Sequence, residues 1–257
     1  MPPRPFVLHE ANYQQLREYR PTVAVLPWGA TEAHNYHLPH GTDVIEATAV
    51  AERAATIAHV AGARVVVLPA IPFGNNVQQL DQVATISFRT TTALAILEDV
   101  ARSLAAQGID RLVLVNAHGG NDFKPLVRDV RGESGVLVVL VNFYQVAPDA
   151  LTEIFDEPGD HAGEMETSFL LHVCPDWVVM GQAGEGRTVP FAIDALRSTP
   201  GVWTPRPWSA THPDTGCGDP SRATADKGRR YLEAVSREVA RVLTGLSAAT
   251  RGQSPYL

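Results

Sequence analysis

Two carboxylates and a histidine follow a short apolar run near the start of the chain, in an arrangement that could hold a metal ion. Glu32 and His34 are two positions apart, and in an extended segment side chains at that spacing point to the same side. Asp43 follows at the start of a predicted helix. Carboxylates and imidazoles bind zinc, manganese and iron in proteins. Taken singly, these residues also fit simpler roles as a solvated carboxylate, a hydrogen-bonded loop histidine and a helix cap.

A second polar cluster directly follows the apolar run 112–115. Two glycines lie there among polar side chains, the set being Asn116, His118, Gly119, Gly120 and Asn121. Because ligands bind beyond the carboxyl ends of the strands in open α/β sheets, we expect His118 to lie near Glu32 and His34. A tight turn would explain the glycines but not the polar side chains around them. A phosphate cradle is less well supported, because no Lys, Ser or Thr occupies the positions that a P-loop needs.

A third cluster, residues 160–168, opens a predicted helix and contains His161, Glu164 and Glu166. On a helix the two glutamates diverge by about 200°, so at most one of them can face a shared site. The alternative is a charged first turn that the helix dipole favours. For the further histidines His37 and His40, the turn predicted between them favours a structural or supporting role.

The elements that must position these residues alternate between short β-branched runs and longer amphipathic ones. The predicted strands are residues 23–27, 64–68, 111–116 and 136–142. The predicted helices are residues 43–61, 91–107, 122–131, 162–173 and 223–243. Such alternation is typical of βαβ units, so the sequence predicts a mainly parallel sheet in a three-layer α/β/α sandwich.

Glycines and prolines mark the ends of these elements. We expect the first long helix to begin with a capping signal at Thr42 and Asp43 and to end before Gly62. Gly108 and Gly132 would end the next two helices in the same way. Residues 181–220 are rich in both residue types and show little periodicity. They predict an irregular excursion that covers the site or contacts another subunit.

Length and composition exclude several classes of protein. The chain has 257 residues, of which 45% are hydrophobic and 19% charged, so we expect one domain over residues 1–257. A net charge of -7 without a basic block argues against nucleic acid as a partner. The beginning of the sequence lacks a signal-peptide pattern, and no run approaches the roughly 18 apolar residues of a membrane span. These features predict a cytoplasmic protein, and Cys174 and Cys217 fit neither a disulfide framework nor a cysteine zinc site.

Three segments resemble the signature blocks of the creatininase (creatinine amidohydrolase) family, in the order and spacing of that family. They read GATEAH at residues 29–34, continuing to residue 43, then NAHGGN at 116–121 and HAGEMETS at 161–168. The resemblance implies an α/β/α fold, often a hexamer, with two divalent metal ions bridged by a water or hydroxide. It further implies that Glu32 and His118 hold one ion, that His34 holds the other, and that Asp43 bridges both.

The sequence also departs from creatininase itself. The counterpart of Gly120 is a glutamate ligand in that enzyme, and we expect Glu166 rather than Glu164 to replace it. The tryptophan that covers creatinine ahead of His161 has no equivalent in residues 156–160. Gln78 and Gln79 match, but Val77 stands where a polar substrate contact would be. The substrate pocket is therefore expected to differ.

These observations predict a divalent-metal-dependent hydrolase of a C–N bond, whether amide, cyclic amide or formamide, in a small molecule. His161 is expected to transfer protons, Glu166 or Glu164 to act as base or ligand, and the substrate to contact Gly119, Gly120, Asn121 and Gln78. The resemblance leaves open a keto-sugar or small-peptide substrate, since family members hydrolyse those too. Two further alternatives are a site with a single ion and a non-catalytic anion-binding domain. Zinc, manganese or iron would be the metal, and the protein a homo-oligomer.

Overall fold

A four-stranded parallel sheet forms the centre of the protein in the computed structural model, which describes residues 3–256. Its strands are β1 (Val23–Trp28), β2 (Val65–Val67), β3 (Arg111–Asn116) and β4 (Leu137–Asn142), in the spatial order β2-β1-β3-β4. Each pair of neighbours is parallel. The predicted strands and the mainly parallel sheet are confirmed.

Helices connect the strands and continue after the last one. Those of the described residues are α1 (Tyr13–Tyr19), α2 (Thr42–Val60), α3 (Thr90–Ala106), α4 (Lys124–Ser134), α5 (Pro148–Ile154), α6 (Glu164–Val173), α7 (Asp194–Ser198), α8 (Trp208–Thr211) and α9 (Ala225–Ala248). The described residues also contain four 3-10 turns, at Val77–Gln79, Phe143–Gln145, Pro175–Trp177 and Met180–Gln182. The short helices α1, α5, α7 and α8 were not predicted from the sequence.

Both faces of the sheet are covered, as a three-layer sandwich requires. Side chains alternate along each strand, so Val23 and Val25 of β1 lie in one apolar cluster while Ala24 and Leu26 lie in another. The first cluster includes residues of α2, α5, α6 and α9, and the second includes residues of α3 and α4. Strands buried on both faces explain why the sequence shows continuous apolar runs instead of alternation.

Several predicted helix ends are wrong. The last helix, α9, continues to Ala248 instead of ending at residue 243, and the end of α4 and the capping of α2 differ from prediction for local backbone reasons. The helix α4 continues through Gly132 and ends at Gly135, which has the left-handed φ of 70° that a glycine C-cap favours. The N-cap of α2 is Gly41, without a side-chain cap. Thr42 instead donates a hydrogen bond to the carbonyl of Pro39, and Asp43 turns toward the interior.

Apart from the short helices α7 and α8 and the end of the 3-10 turn Met180–Gln182, the excursion 181–220 runs without regular structure, as its composition predicts. It returns to the body through Cys217, whose backbone exchanges two hydrogen bonds with that of His161, at N–O distances of 2.7 and 3.1 Å. The excursion is thus attached beside a predicted site residue. Within residues 3–256, no helix is long and apolar enough to cross a membrane.

Candidate metal centre

The sheet brings the first two polar segments together at its carboxyl edge. Trp28 at the end of β1 pairs with Asn116 at the end of β3, so the chain leaves both strands at the same level. The segment after β1 carries Glu32 and His34, and the segment after β3 carries His118. All three side chains are buried.

Two helices complete the group from above this edge. Asp43 lies in the first turn of α2 and Glu166 in the first turn of α6. Both carboxylates are buried, although neither caps its own helix. We call the resulting set the carboxylate–histidine cluster, and it consists of Glu32, His34, Asp43, His118 and Glu166.

Asp43 lies between two halves of this cluster and offers a different oxygen to each. Its Oδ2 is 3.2 Å from His118 Nδ1, which is also 3.1 Å from Glu32 Oε1. Its Oδ1 is 2.9 Å from His34 Nε2, which is 3.9 Å from Glu166 Oε2. In each half, the three candidate ligand atoms lie within 4.8 Å of one another. The arrangement can hold two cations that share Asp43.

His161 adjoins the cluster. Its Nδ1 is 3.6 Å from Glu32 Oε1, and its ring stacks on that of His34 with a centroid separation of 4.0 Å. His161 therefore completes a further candidate ligand group with Glu32 and His34. This placement is consistent with either contact to a metal ion or proton transfer beside one.

The three histidines share a feature that fits metal binding. One ring nitrogen of each bonds a backbone carbonyl: His34 Nδ1 to Glu32 at 3.1 Å, His118 Nε2 to Asn75 at 3.2 Å, and His161 Nε2 to Ala33 at 2.8 Å. Since a carbonyl only accepts hydrogen bonds, this nitrogen carries the proton. The other ring nitrogen faces the carboxylates and presents a lone pair when the ring is neutral. Histidine ligands are commonly oriented in this way.

Unpaired polar atoms give a second indication that the centre fits divalent ions. The nitrogen nearest to both Glu32 Oε1 and Asp43 Oδ2 is Nδ1 of His118. When His118 is neutral, as metal binding requires, these two buried oxygens have no hydrogen-bond donor among the described residues. Buried carboxylate oxygens without a partner are costly unless a cation balances them. The donor set of oxygen and imidazole nitrogen suits zinc, manganese or iron.

The pKa values show how strongly negative the centre is. Burial alone would lower the pKa of His34, but the carboxylates of Asp43, Glu166 and Glu32 outweigh it and raise this pKa to about 9. The pKa of His118 is likewise raised well above its usual value, against the effect of burial, by Glu32 and Asp43. Burial raises the pKa of Glu166 to about 7, although His34 opposes the shift. Without metal, these shifts favour protonated His34 and His118, whose charge balances the carboxylates as a metal ion would.

Glu164, the other glutamate proposed from the sequence, lies outside the cluster. Its side chain pairs with Lys227 of α9 and accepts the backbone N–H groups of Asp156 and Glu157, both at 3.0 Å. Glu164 therefore fastens the start of α6 to α9, whereas Glu166 faces His34. The expected divergence of the two glutamates is observed.

The glycine-rich turn after β3 is held by its asparagines. The side-chain N–H of Asn116 donates to the backbone carbonyl of His118 at 2.9 Å, and its Oδ1 accepts the backbone N–H of His118 at 3.1 Å. Asn121 bonds Asn116 at 3.1 Å and the backbone N–H of Asn75 at 3.0 Å. These bonds place Asn121 in support of the turn, whereas Gly119 and Gly120 line a cleft beside the cluster.

Gly120 has no room for a side chain. A Cβ there would lie 2.4 Å from His118 Nε2 and 2.6 Å from the carbonyl oxygen of Asn75. These two atoms form the bond that orients His118. A carboxylate at position 120 is therefore incompatible with this orientation of the histidine.

The cleft has a volume of about 590 Å³ and opens from Glu32, His118 and His161 to the surface. Gln78 lines it, and the neighbouring Gln79 donates to Glu32 Oε2. The excursion 181–220 supplies its other wall with Trp203, Arg206 and Trp208. The sequence predicted that this excursion covers the site or contacts another subunit, but it gave no signal for Arg206. A larger apolar groove between α1 and α3, of about 840 Å³, contains no residue of the cluster.

Three further polar residues support the site from behind. His37 bonds Thr167 of α6 at 2.8 Å, and His40 bonds the carbonyl of Val83 at 3.0 Å, which agrees with supporting roles. Glu46, one turn after Asp43, was missed from the sequence. It is fully buried, and burial, together with Glu166 and Asp43, raises its pKa well above the usual value.

Sequence comparisons identify relatives along nearly the whole chain. The profile of the creatininase family, described as creatinine amidohydrolase, matches residues 9–243. A mycofactocin precursor peptide peptidase from Mycobacterium ulcerans (strain Agy99) is 34% identical over 246 residues, which cover 91% of this chain and 90% of that protein. A creatinine amidohydrolase from Pseudomonas putida is 27% identical, with 85% of this chain and 87% of that protein covered.

Solved structures show the same architecture. A Bacteroides fragilis NCTC 9343 protein related to creatinine amidohydrolase superposes with a TM-score of 0.88 at 35% identity, covering 96% of this chain and 98% of its own. A creatininase structure superposes with a TM-score of 0.76 at 23% identity, covering 95% and 99%. Since the family profile and relatives above 30% identity extend over most of the sequence, this chain belongs to the creatininase family of metal-dependent hydrolases.

Proposed function

We propose that this enzyme hydrolyses the amide bond of a small peptide at a centre of two divalent ions. The observation that carries the proposal is the position of Asp43, which offers one oxygen to each of two histidine-containing groups. Glu32 and His118 would hold one ion with it, and His34 and Glu166 the other. Glu166 thereby replaces the ligand that Gly120 lacks.

Zinc and manganese are the metals with the most support. Two creatininase structures, each 23% identical to this chain, are described as the Zn-Zn type and as the Mn form, and the ligand types here suit either ion. Such ions lower the pKa of a water molecule and polarise the carbonyl group of a substrate. Iron remains a third candidate on the same ligand chemistry.

His161 is the residue proposed to move the proton. Burial, reinforced by His34, lowers the pKa of His161 to about 4, below the usual value of a histidine. The ring is therefore neutral at pH 7, and its Nδ1 is free to accept a proton because Nε2 already bonds the carbonyl of Ala33. The attacking water would supply this proton, and its transfer to the leaving nitrogen would let the C–N bond break to give an acid and an amine. The backbone at Gly119 and Gly120 and the side chain of Gln78 would contact the substrate.

A peptide is the favoured substrate among those that the family resemblance allows. The relative at 34% identity is named a peptide peptidase, whereas the creatinine amidohydrolase is 27% identical. The cleft of about 590 Å³ also lies in the usual range for sites that enclose drug-sized ligands. Cyclic amides, formamides and keto-sugars are the alternatives. We also propose that the chain forms a single domain, that it assembles as a homo-oligomer of up to six copies, and that it is cytoplasmic.

The test is a substrate screen with protein stripped of metal and reloaded with zinc, manganese or iron. The panel contains blocked and unblocked short peptides, cyclic amides, formamides and keto-sugars. We expect peptide hydrolysis that a chelator abolishes and the ion restores. Hydrolysis that persists without metal would contradict the proposed centre, and a preference for another class would contradict the peptide assignment. Metal binding without turnover of any class would support a binding domain instead.

A further inference from the structure

Arg206 is the only lysine or arginine that lines the cleft within residues 3–256. The other charged side chains there are Glu32, Asp122 and Asp160, apart from the histidines of the centre. Arg206 therefore places one positive charge in a cleft whose other charged side chains are carboxylates. A guanidinium in this position can bind an anion that enters the cleft.

The guanidinium of Arg206 is held in place on a fixed aromatic platform. Its Cζ lies 4.7 Å from the ring centroid of Trp208. Trp208 is buried and donates its indole N–H to the carbonyl of Thr215 at 2.9 Å. The edge of the indole also meets the ring of His161 at a centroid separation of 5.2 Å. One indole and one imidazole ring thus separate the guanidinium from the carboxylate–histidine cluster.

The hydrogen-bonding capacity of Arg206 is largely unused. Among the described residues its side chain bonds Asp160 alone, through Nη2 at 3.1 Å. A guanidinium carries five N–H donors in a planar fork that matches a carboxylate. The side chain of Arg206 is 37% exposed, so donors remain accessible from the cleft. Trp203, which is 83% exposed, adds an uncovered aromatic surface beside it.

We propose that Arg206 binds a carboxylate group of the substrate and so makes this enzyme selective for anionic peptides. The proposal rests on the proposed function and names the substrate class of the same cleft. Asp160 would pair with the guanidinium in the free enzyme, and the substrate carboxylate would take the remaining donors. The carboxylate can be a peptide's terminal group or an acidic side chain.

Binding to the metal-loaded enzyme separates this selectivity from turnover. The probes are N-benzoylglycine, its uncharged amide, and N-benzoylaspartic acid α-amide, which carries only a side-chain carboxylate; tryptophan fluorescence gives the dissociation constants. We expect an acid to bind roughly 10- to 100-fold more tightly than the uncharged amide, as for a charged hydrogen bond. The better of the two acids identifies the source of the carboxylate. Arg206→Gln should abolish the difference, and Arg206→Lys should keep part of it.

Two control variants test whether the preference depends on Arg206 itself. Arg197→Gln removes an exposed arginine of the same excursion that pairs with Asp194 outside the cleft, and it should leave the preference intact. Asp160→Asn removes the internal partner of Arg206 and should maintain or increase the preference. Circular dichroism and melting temperature report whether each variant is folded.

Two results would overturn the proposal. A preference for acids that persists in Arg206→Gln would mean that the ions alone bind the carboxylate. If Arg206→Gln and Asp160→Asn weakened the binding of all three probes equally, the ion pair would merely fasten the excursion. Absence of peptide hydrolysis together with an Arg206-dependent preference would instead refute the proposed function and leave this binding site standing.

Discussion

A single aspartate decides whether the centre can hold two ions. Asp43 contributes to both candidate groups, while the other members of the cluster contribute to one half each. We expect Asp43→Ala to weaken both sites and the double change Asp43→Ala, His118→Ala to abolish stoichiometric binding. Elemental analysis of the purified protein measures this. Asp149→Asn, which changes an exposed aspartate in the first turn of α5, is the matched control. Full metal content in the double variant would refute the centre.

Metal uptake should release protons, because protons occupy the centre without metal. The pKa of His34 is raised to about 9 and that of His118 is raised well above its usual value, so both are protonated at pH 7 in the metal-free protein. Since a bound ion requires the unprotonated nitrogen, its affinity should increase as pH rises toward 9. More than one proton per chain should leave at pH 7, because Glu166, with a pKa of about 7, also loses its proton when it binds an ion. Calorimetry in two buffers of different ionisation enthalpy measures them, and no release would contradict these pKa shifts.

The role of His161 can be separated from that of a ligand. We expect His161→Ala to retain metal while kcat falls by roughly 10²- to 10⁴-fold, the usual range for a group that transfers a proton. Metal content and peptide turnover are measured on the same samples. His172→Ala, which changes an exposed histidine at the end of α6, should change neither. Parallel loss of metal and activity would make His161 a ligand, since it also completes a candidate ligand group.

At the scale of residues, the sequence predicted which side chains would meet but not how they are held. Glu32, His34 and His118 lie together because they follow two adjacent parallel strands, a relation that periodicity can reveal. The carbonyl partners of the histidines belong to irregular backbone. No local pattern specifies such contacts, so they could not be predicted.

Close packing of α6 on α9 fixes the direction from which Glu166 enters the site. A Cβ at Gly228 of α9 would lie 1.9 Å from the carbonyl oxygen of Ser168 in α6. Gly228→Ala should therefore destabilise the protein by about 1 to 3 kcal/mol or more, as overpacking does. Gly245→Ala lies in the same helix with nothing within 4 Å, and it should stabilise by about 0.5 to 1 kcal/mol. Urea denaturation compares the two, and equal effects would show that the contact is unimportant.

The predicted elements were accurate where apolar periodicity was strong and inaccurate at helix ends. β1, β3 and β4 agree with prediction to within one residue at each end. For α4, Gly132 and Gly135 compete as terminators, and the left-handed φ of 70° at Gly135 decides between them. For α2, Thr42 and Asp43 were predicted as a capping signal and Asp43 also as a metal ligand. The side chain of Asp43 lies between two buried histidines and does not cap the helix. Tertiary electrostatics thus overrides a local capping preference.

At the scale of the whole molecule, the candidate metal centre and the proposed substrate cleft are built from different parts of the chain. The carboxyl edge of the sheet and the starts of α2 and α6 supply the cluster, whereas residues 203–208 of the excursion supply much of the cleft wall. The excursion was predicted only as a cover or a subunit contact, because irregular segments carry no periodic signal. Its attachment beside His161 explains how it reaches the site.

This division predicts that creatinine is a poor substrate despite the name of the family. Val77 is apolar and 61% exposed at the cleft, so it cannot pair with a polar ring edge, and each unpaired group costs about 1 to 3 kcal/mol. Trp203 and Trp208 provide aromatic surface in the cleft. Arg206, which lies over the ring of Trp208, favours an anion over an uncharged ring. We expect kcat/KM for creatinine well below about 10⁴ M⁻¹s⁻¹ with zinc, manganese or iron. Steady-state assays beside a hydrolysed peptide measure the contrast, and creatinine turnover at or above that value would show that the excursion recreates the lost recognition.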